Sequence, residues 1–200
     1  MFGRERQPAL GDIVNNFANE ADGFRPVLKR MTNEHQAFSV LGNHDYGDYT
    51  NWESDEKKQK NLEGIIGTLN ETGFLLLNNE NRVIKKNNDS IFLAGVENWG
   101  HPPFPQYANL EKALDGIPSD AFSILMTHDP SHWEYKVKQD DCNYQLTLSG
   151  HTHGLQMGIE IPGFFRWSPS KYVYKQWAGL YEEYGRYINV NRGFGYHAFP

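Results

Sequence analysis

Cysteine is almost absent: Cys142 is the single one in 200 residues. One thiol cannot close an internal disulfide, so the fold cannot depend on oxidation. We expect Cys142 to be a structural residue. Long apolar runs are missing too, and no stretch approaches the roughly 18 residues that a membrane-spanning helix needs. Residues 1–10 are polar and lack the apolar centre of a secretory leader. These absences lead us to expect a cytoplasmic location. Positive charge is in the minority, with 19 Lys and Arg against 25 Asp and Glu, for a net charge of −6. Binding nucleic acid through a basic face needs clustered lysine and arginine, so that class is disfavoured. A small phosphorylated substrate stays open, because bound divalent cations would supply positive charge locally. Internal repeats and low-complexity blocks are also lacking. What is there, 38% hydrophobic and 22% charged residues, suits a chain that folds around one core. We read residues 1–200 as one domain.

Short apolar runs alternate with polar segments. Residues 37–41 read as a buried strand that stops at Gly42-Asn43-His44-Asp45. Residues 52–72 read as a helix: the first half is polar, and Leu62, Ile65, Ile66 and Leu69 recur at helical spacing. Gly73 supplies its C-terminal stop. Residues 74–77, 82–86 and 91–96 read as strands, with turns at Asn78-Asn79 and Asn87-Asn88-Asp89. Residues 110–114 form a short helix in this reading. Residues 122–127 make a strand stopping at His128-Asp129-Pro130. Residues 146–149 make another, stopping at Gly150-His151-Thr152-His153-Gly154, and residues 187–190 read as the last strand. Three apolar strands thus run straight into polar clusters containing histidine. In α/β sheets, ligands collect beyond the carboxyl ends of strands. Helix-separated and hairpin-connected strands together predict an α/β fold, a mixed-sheet sandwich flanked by helices.

The segments Gly11-Asp12, Gly42-Asn43-His44-Asp45, Thr127-His128-Asp129 and Gly150-His151-Thr152-His153 offer imidazole, carboxylate and amide oxygen from loops. A nitrogen and oxygen set without thiolate suits Mn, Fe or Zn. The glycine that opens three of the segments permits a sharp turn out of a strand. His151 and His153 lie two apart, and in extended backbone such side chains point the same way. Both imidazoles then reach one site, each serving a different one of two neighbouring metals. Asn43-His44-Asp45 offers a neutral oxygen ligand, a proton donor and a carboxylate to orient that donor.

In this order the segments resemble the calcineurin-like metallophosphoesterases, from about Gly11 to the C-terminus. Gly-Asn-His-Asp followed much later by Gly-His-Thr-His is the specific part of the match. Gly-His-Thr-His-Gly-Leu-Gln and the aromatic segment after it resemble a bacterial branch that includes membrane-associated phosphoesterases. Some members of that branch hydrolyse the pyrophosphate of UDP-2,3-diacylglucosamine. The resemblance implies a metallophosphoesterase fold and metal-dependent hydrolysis of phosphoester or pyrophosphate bonds in a small-molecule or lipid-linked substrate. It implies that Asp12 bridges two metals, and that Asn43, His128 and His151 complete one metal's shell. His153 would bind the other metal. His44 would contact the phosphate and protonate the leaving group, with Asp45 orienting it. A hydroxide derived from a bridging water would attack phosphorus in line.

The sequence departs from that pattern at its start. The family opens with a strand ending in Asp-x-His, and no such motif precedes Asp12. Arg4-Glu5-Arg6-Gln7-Pro8-Ala9-Leu10 reads as too charged for a buried strand, and it carries a proline. We therefore expect a domain without its first β-α-β stretch, and without a last strand. One metal keeps Asp12, Asn43, His128 and His151; the other keeps Asp12 and His153. A non-catalytic metal-binding fragment is accordingly the alternative to an active enzyme.

His35, His101, His132 and His197 read as exposed or hydrogen-bonded residues outside the site. The charged run at residues 52–60 reads as a solvated helix face. Phe164-Phe165-Arg166-Trp167, continuing to Tyr172, Tyr174 and Trp177, reads as core and sheet packing. The alternative is an apolar wall for a lipid-bearing substrate or a peripheral membrane contact. Arg166 and Lys171 would then contact phosphate.

Overall fold

The computed structural model describes residues 6–193 apart from 35, 103, 143 and 162, so His35 and His197 lie outside the described residues. Two sheets stack on one another. In the smaller, β2 (Gln36–Ser39) lies between β1 (Arg6–Ala9) and β3 (Phe74–Leu76), all parallel. The larger sheet has β4 (Glu80–Lys86) and β5 (Asp89–Gly95) as one antiparallel edge hairpin. β6 (Ser123–Met126) and β7 (Leu146–Ser149) run parallel in its centre. The strands numbered β10 (Gly179–Glu183) and β11 (Arg186–Val190) close the far side, giving the order β10-β11-β7-β6-β5-β4. Asn79 and Asn87 take the left-handed conformation at the two turns bounding β4, with φ of 56° at each. Asparagine tolerates that region better than most residues.

Apolar residues from both sheets make the layer between them: Phe38, Val40 and Leu77 meet Ile84, Leu93 and Met126. Helix α2 (Asp55–Glu71) covers the outer face of the smaller sheet, where Leu69 packs with Ala37, Leu41 and Phe74. Its periodic residues Ile65 and Leu69 are fully buried, and each contributes about 1.5–3 kcal/mol of burial. Ser54 caps the helix by accepting from the Lys57 amide, and Gly73 follows it at φ 89°. Helices α3 (Leu110–Leu114) and α4 (Ser131–Tyr135) cover the larger sheet, where Ala113 and Trp133 pack on Ala94, Val96, Leu125, Ile188 and Val190. The sandwich and most of its strands follow the sequence reading.

Several elements differ from it. Residues 6–9 do form a strand, β1, paired with β2 from Arg6↔Gln36 to Ala9↔Ser39. It lies at the end of its sheet, where Pro8 has no outward ladder bond to supply, and an edge strand tolerates charge. Helix α1 (Arg25–Glu34) was not foreseen, and it buries no residue fully. Strands β8 (Ile159–Ile161) and β9 (Phe165–Trp167) make a separate two-stranded hairpin. The aromatic stretch therefore divides: Trp177 is buried, but Phe164 is 86% and Tyr172 75% exposed. Cys142, expected to be structural, is exposed. His132 is buried, bonded through Nδ1 to Thr127 Oγ1 at 3.0 Å and stacked on Trp99. His101 is exposed and bonded to the Pro102 carbonyl at 3.0 Å.

Candidate metal centre

The segments that leave β1, β2, β6 and β7 meet at one edge of the sandwich. His128 leaves β6, and its Nε2 is the meeting point. It lies 3.1 Å from Asp12 Oδ2, 3.0 Å from Asn43 Oδ1 and 3.0 Å from His151 Nδ1. Asp12, His128 and His151 are the one group of three or more ionisable metal-type ligands found among the described residues, and their ligating atoms lie within 4.8 Å of one another.

The partners behind these atoms decide which lone pairs face inward. His128 Nδ1 donates to the Leu10 carbonyl at 2.5 Å, leaving Nε2 as the inward nitrogen. Nε2 of His151 pairs with the Tyr174 hydroxyl at 2.7 Å, so its Nδ1 faces the cluster. Nδ2 of Asn43 donates to the Tyr49 hydroxyl at 2.8 Å, which turns Oδ1 inward. Asp12 Oδ1 accepts from the His44 amide at 3.0 Å, leaving Oδ2 toward His128. Four electron-pair donors thus converge, each held by a hydrogen bond from behind, as such bonds orient metal ligands. The donor set fits a divalent metal ion.

The charges agree with a site built for a cation. Burial opposes a charged His128, yet the Asp12 carboxylate overrides it and lifts the imidazole to about 9. Burial also works against ionised Asp12, but His128 holds it well below the usual carboxylate range. His151 is pushed down to about 4 by burial, then by the His128 charge. One positive charge among these groups is favoured, and a second is refused to the imidazoles. Backbone strain marks the place: Asp12, His151 and His153 have φ of 54°, 69° and 48°, in a region costly for residues other than glycine.

Asp45 is tied to the backbone of two loops. Its buried carboxylate accepts from the amides of Asp12 at 2.9 Å, Ile13 at 2.9 Å and Gly42 at 2.8 Å, with Val14 at 3.4 Å. Burial and the Asp12 charge push it up to about 6, and the Gly42 and Ile13 amides pull it back. It ties the Asp12 turn to the Asn43 turn. The His44 ring meets the Asn15 carbonyl, 2.8 Å from Nδ1, and it stacks on Tyr49.

The backbone after β7 is not extended either: φ is 69° at His151, −72° at Thr152 and 48° at His153. His153 stands outside the tight cluster. It shares a cavity of about 220 Å³ with Asp12, His44 and His151. Arg166 and Lys171 do not line that cavity. The guanidinium of Arg166 lies over the Trp177 and Tyr181 rings, and Lys171 Nζ lies over Tyr172. Sequence reasoning missed four supporting groups. Leu10 and Asn15 act through backbone carbonyls, which no side-chain pattern signals. Tyr49 and Tyr174 were visible only as aromatics near the motifs.

Comparison with known proteins gives a consistent answer. A family model described as calcineurin-like phosphoesterase matches residues 9–155. The uncharacterized metallophosphoesterase YkuE of Bacillus subtilis is 28% identical over 192 residues, covering 95% of this chain and 60% of that protein. Phosphodiesterase YaeI of Escherichia coli is 29% identical over 206 residues, covering 97% of this chain and 66% of that protein. The chain thus spans under two thirds of either relative. The sulfate thiohydrolase SoxB of Thermus thermophilus aligns with a TM-score of 0.54 at 14% identity, over 92% of this chain and 33% of that one, which speaks to the fold alone.

Proposed function

The chain belongs to the calcineurin-like phosphoesterase family, and on that premise we propose that it hydrolyses phosphoester bonds with a divalent metal held by Asp12, Asn43, His128 and His151. The convergence of three donor atoms on His128 Nε2, each at 3.0–3.1 Å, carries this reading. A divalent ion there would lower the pKa of a water and offset charge on the phosphoryl oxygens. Neither lysine nor arginine lines the cavity among its described residues, so side chains offer the phosphate little positive charge of their own. The residues themselves bind, orient and move protons. His44, whose Nδ1 meets the Asn15 carbonyl, shares the cavity with Asp12 and His151, where it would contact phosphate and protonate the leaving oxygen. Asp45 keeps the Asp12 and Asn43 turns in register through its four amide bonds.

One tightly held ion suits this geometry better than two, because His153 stands apart from the cluster. With Asp12, it would hold a second ion more weakly. Pyrophosphate bonds and lipid-linked phosphates fall within the same chemistry. Contact with a membrane surface is supported by the β8–β9 hairpin, where Met157, Ile159, Ile161 and Phe164 are all more than half exposed. A Phe164→Ser variant should lose co-sedimentation with anionic vesicles; equal recovery of both proteins with the vesicles speaks against that contact.

Metal analysis and Mn-stimulated hydrolysis of bis-p-nitrophenyl phosphate test the main reading together. The wild type should retain metal through gel filtration. His128→Ala should lose it and lose activity by at least about 100-fold. Retained metal with no hydrolysis selects the non-catalytic reading. Equal metal content in wild type and variant removes the proposed site.

A further inference from the structure

A second cavity, of about 330 Å³, reaches Asn43 and His151 at one end. Away from those ligands four aromatic side chains line it, Tyr49, Phe104, Tyr135 and Tyr174, with Tyr49 and Phe104 6.4 Å apart between ring centroids. Among the described residues lining it there is no lysine or arginine, and its one carboxylate is Asp129. The amide oxygen of Asn98, another lining residue, is buried and meets no donor among the described residues.

A phosphate ester held near Asn43 and His151 must send a substituent into neighbouring space. We propose that this cavity receives the organic group of the substrate, and that this group is a flat, uncharged ring rather than a second phosphate. The inference rests on the phosphoesterase reading. A ring gains by lying against aromatic faces in offset or edge-on contact. A second anionic group loses, because it is desolvated beside the Asp129 carboxylate with no lysine or arginine to meet it. The cavity's size suits one ring system, at the small end of the range for ligand sites of about 300–1,000 Å³. The Asp129 carboxylate in its wall accepts hydrogen bonds. A ring edge bearing N–H or O–H is therefore favoured over a bare one.

Calorimetric titration of the Mn-loaded protein with phenylphosphonate and methylphosphonate tests this without hydrolysis, since neither has a scissile ester. Phenylphosphonate should bind about tenfold more tightly. 4-Carboxyphenylphosphonate, which adds a negative charge to the far edge of the ring, should lose that advantage. In a Phe104→Ala, Tyr135→Ala double variant the phenyl-to-methyl ratio should fall to about one. These side chains are 53% and 58% exposed, so the fold does not hinge on them. Equal affinities in the wild type, or a preference that survives in the double variant, overturn the inference. Failure of every phosphonate to bind the wild type sinks the metal-site reading and the inference with it, a result distinct from loss of the preference alone.

Discussion

His128 and His132 lie four residues apart in sequence and both are buried, yet their surroundings push the two imidazoles in opposite directions. The Asp12 carboxylate lifts His128 to about 9, whereas burial, reinforced by Lys136, pushes His132 down to about 3. A neighbouring carboxylate makes the difference, not depth. His132 stays neutral, bonded to Thr127 and stacked on Trp99. Its folded pKa lies below the unfolded value of 6.5. Below pH 6.5 the unfolded chain therefore takes up a proton that the folded chain refuses, and stability falls as the solution is acidified toward pH 3. Between pH 6.5 and 5 the loss from this residue should be roughly 2 kcal/mol. Urea unfolding of the wild type and of His132→Phe at both pH values isolates it: the variant's profile should be flatter by that amount. Parallel profiles would show that His132 is charged in the fold, or that water reaches it.

At the scale of elements, the site is made by turns that touch. A Cβ on Gly11 would sit 2.3 Å from the Gly42 nitrogen, and one on Gly42 would sit 2.2 Å from Asp12 Oδ1 and 2.7 Å from His128 Cε1. No side chain fits there, so the loops after β1 and β2 approach as closely as backbone allows. Gly42→Ala should cost at least about 2 kcal/mol of stability and abolish metal retention, as read by chemical denaturation and metal analysis. A variant of wild-type stability that still holds metal would mean the loops have room to part. These glycines explain what the sequence let one read. Buried strands such as β2 and β6 appear as apolar runs, and their abrupt ends in Gly-Asn-His-Asp and His-Asp announce the loops. Elements without a buried stripe stayed hidden: α1 buries no residue fully, and β8 is exposed along its length. Strand β1 was hidden by its charge and its proline. The hydrogen-bond partners of His44 and Asp45 were not legible for a different reason. Adjacent residues in a tight 3-10 turn face different partners, and adjacency along the chain cannot say which. The pocket walls at Phe104 and Tyr135 come from loops and a short helix with no motif.

For the whole molecule, the ligands divide between two layers. Asp12 and Asn43 follow strands of the smaller sheet, and His128 and His151 follow strands of the larger. A bound ion therefore ties the two sheets at one edge, in addition to the apolar layer of Phe38, Val40, Leu93 and Met126. It also brings two positive charges to a chain whose net charge is −6. An ion that binds only the folded state stabilises it by about 2.7 kcal/mol at a hundred times its dissociation constant. A domain of this size shifts its melting temperature by about 2–4 °C per kcal/mol. Chelation should accordingly lower the melting temperature by roughly 5–10 °C, and His151→Ala should melt at the same temperature with or without added Mn. Hydrogen exchange separates a tie between layers from a local effect. If the ion joins the sheets, its removal should raise exchange in the segments after β1 and β2 as well as those after β6 and β7. If only one pair responds, the ion is held by one sheet, and the other sheet's donors do not belong to the site.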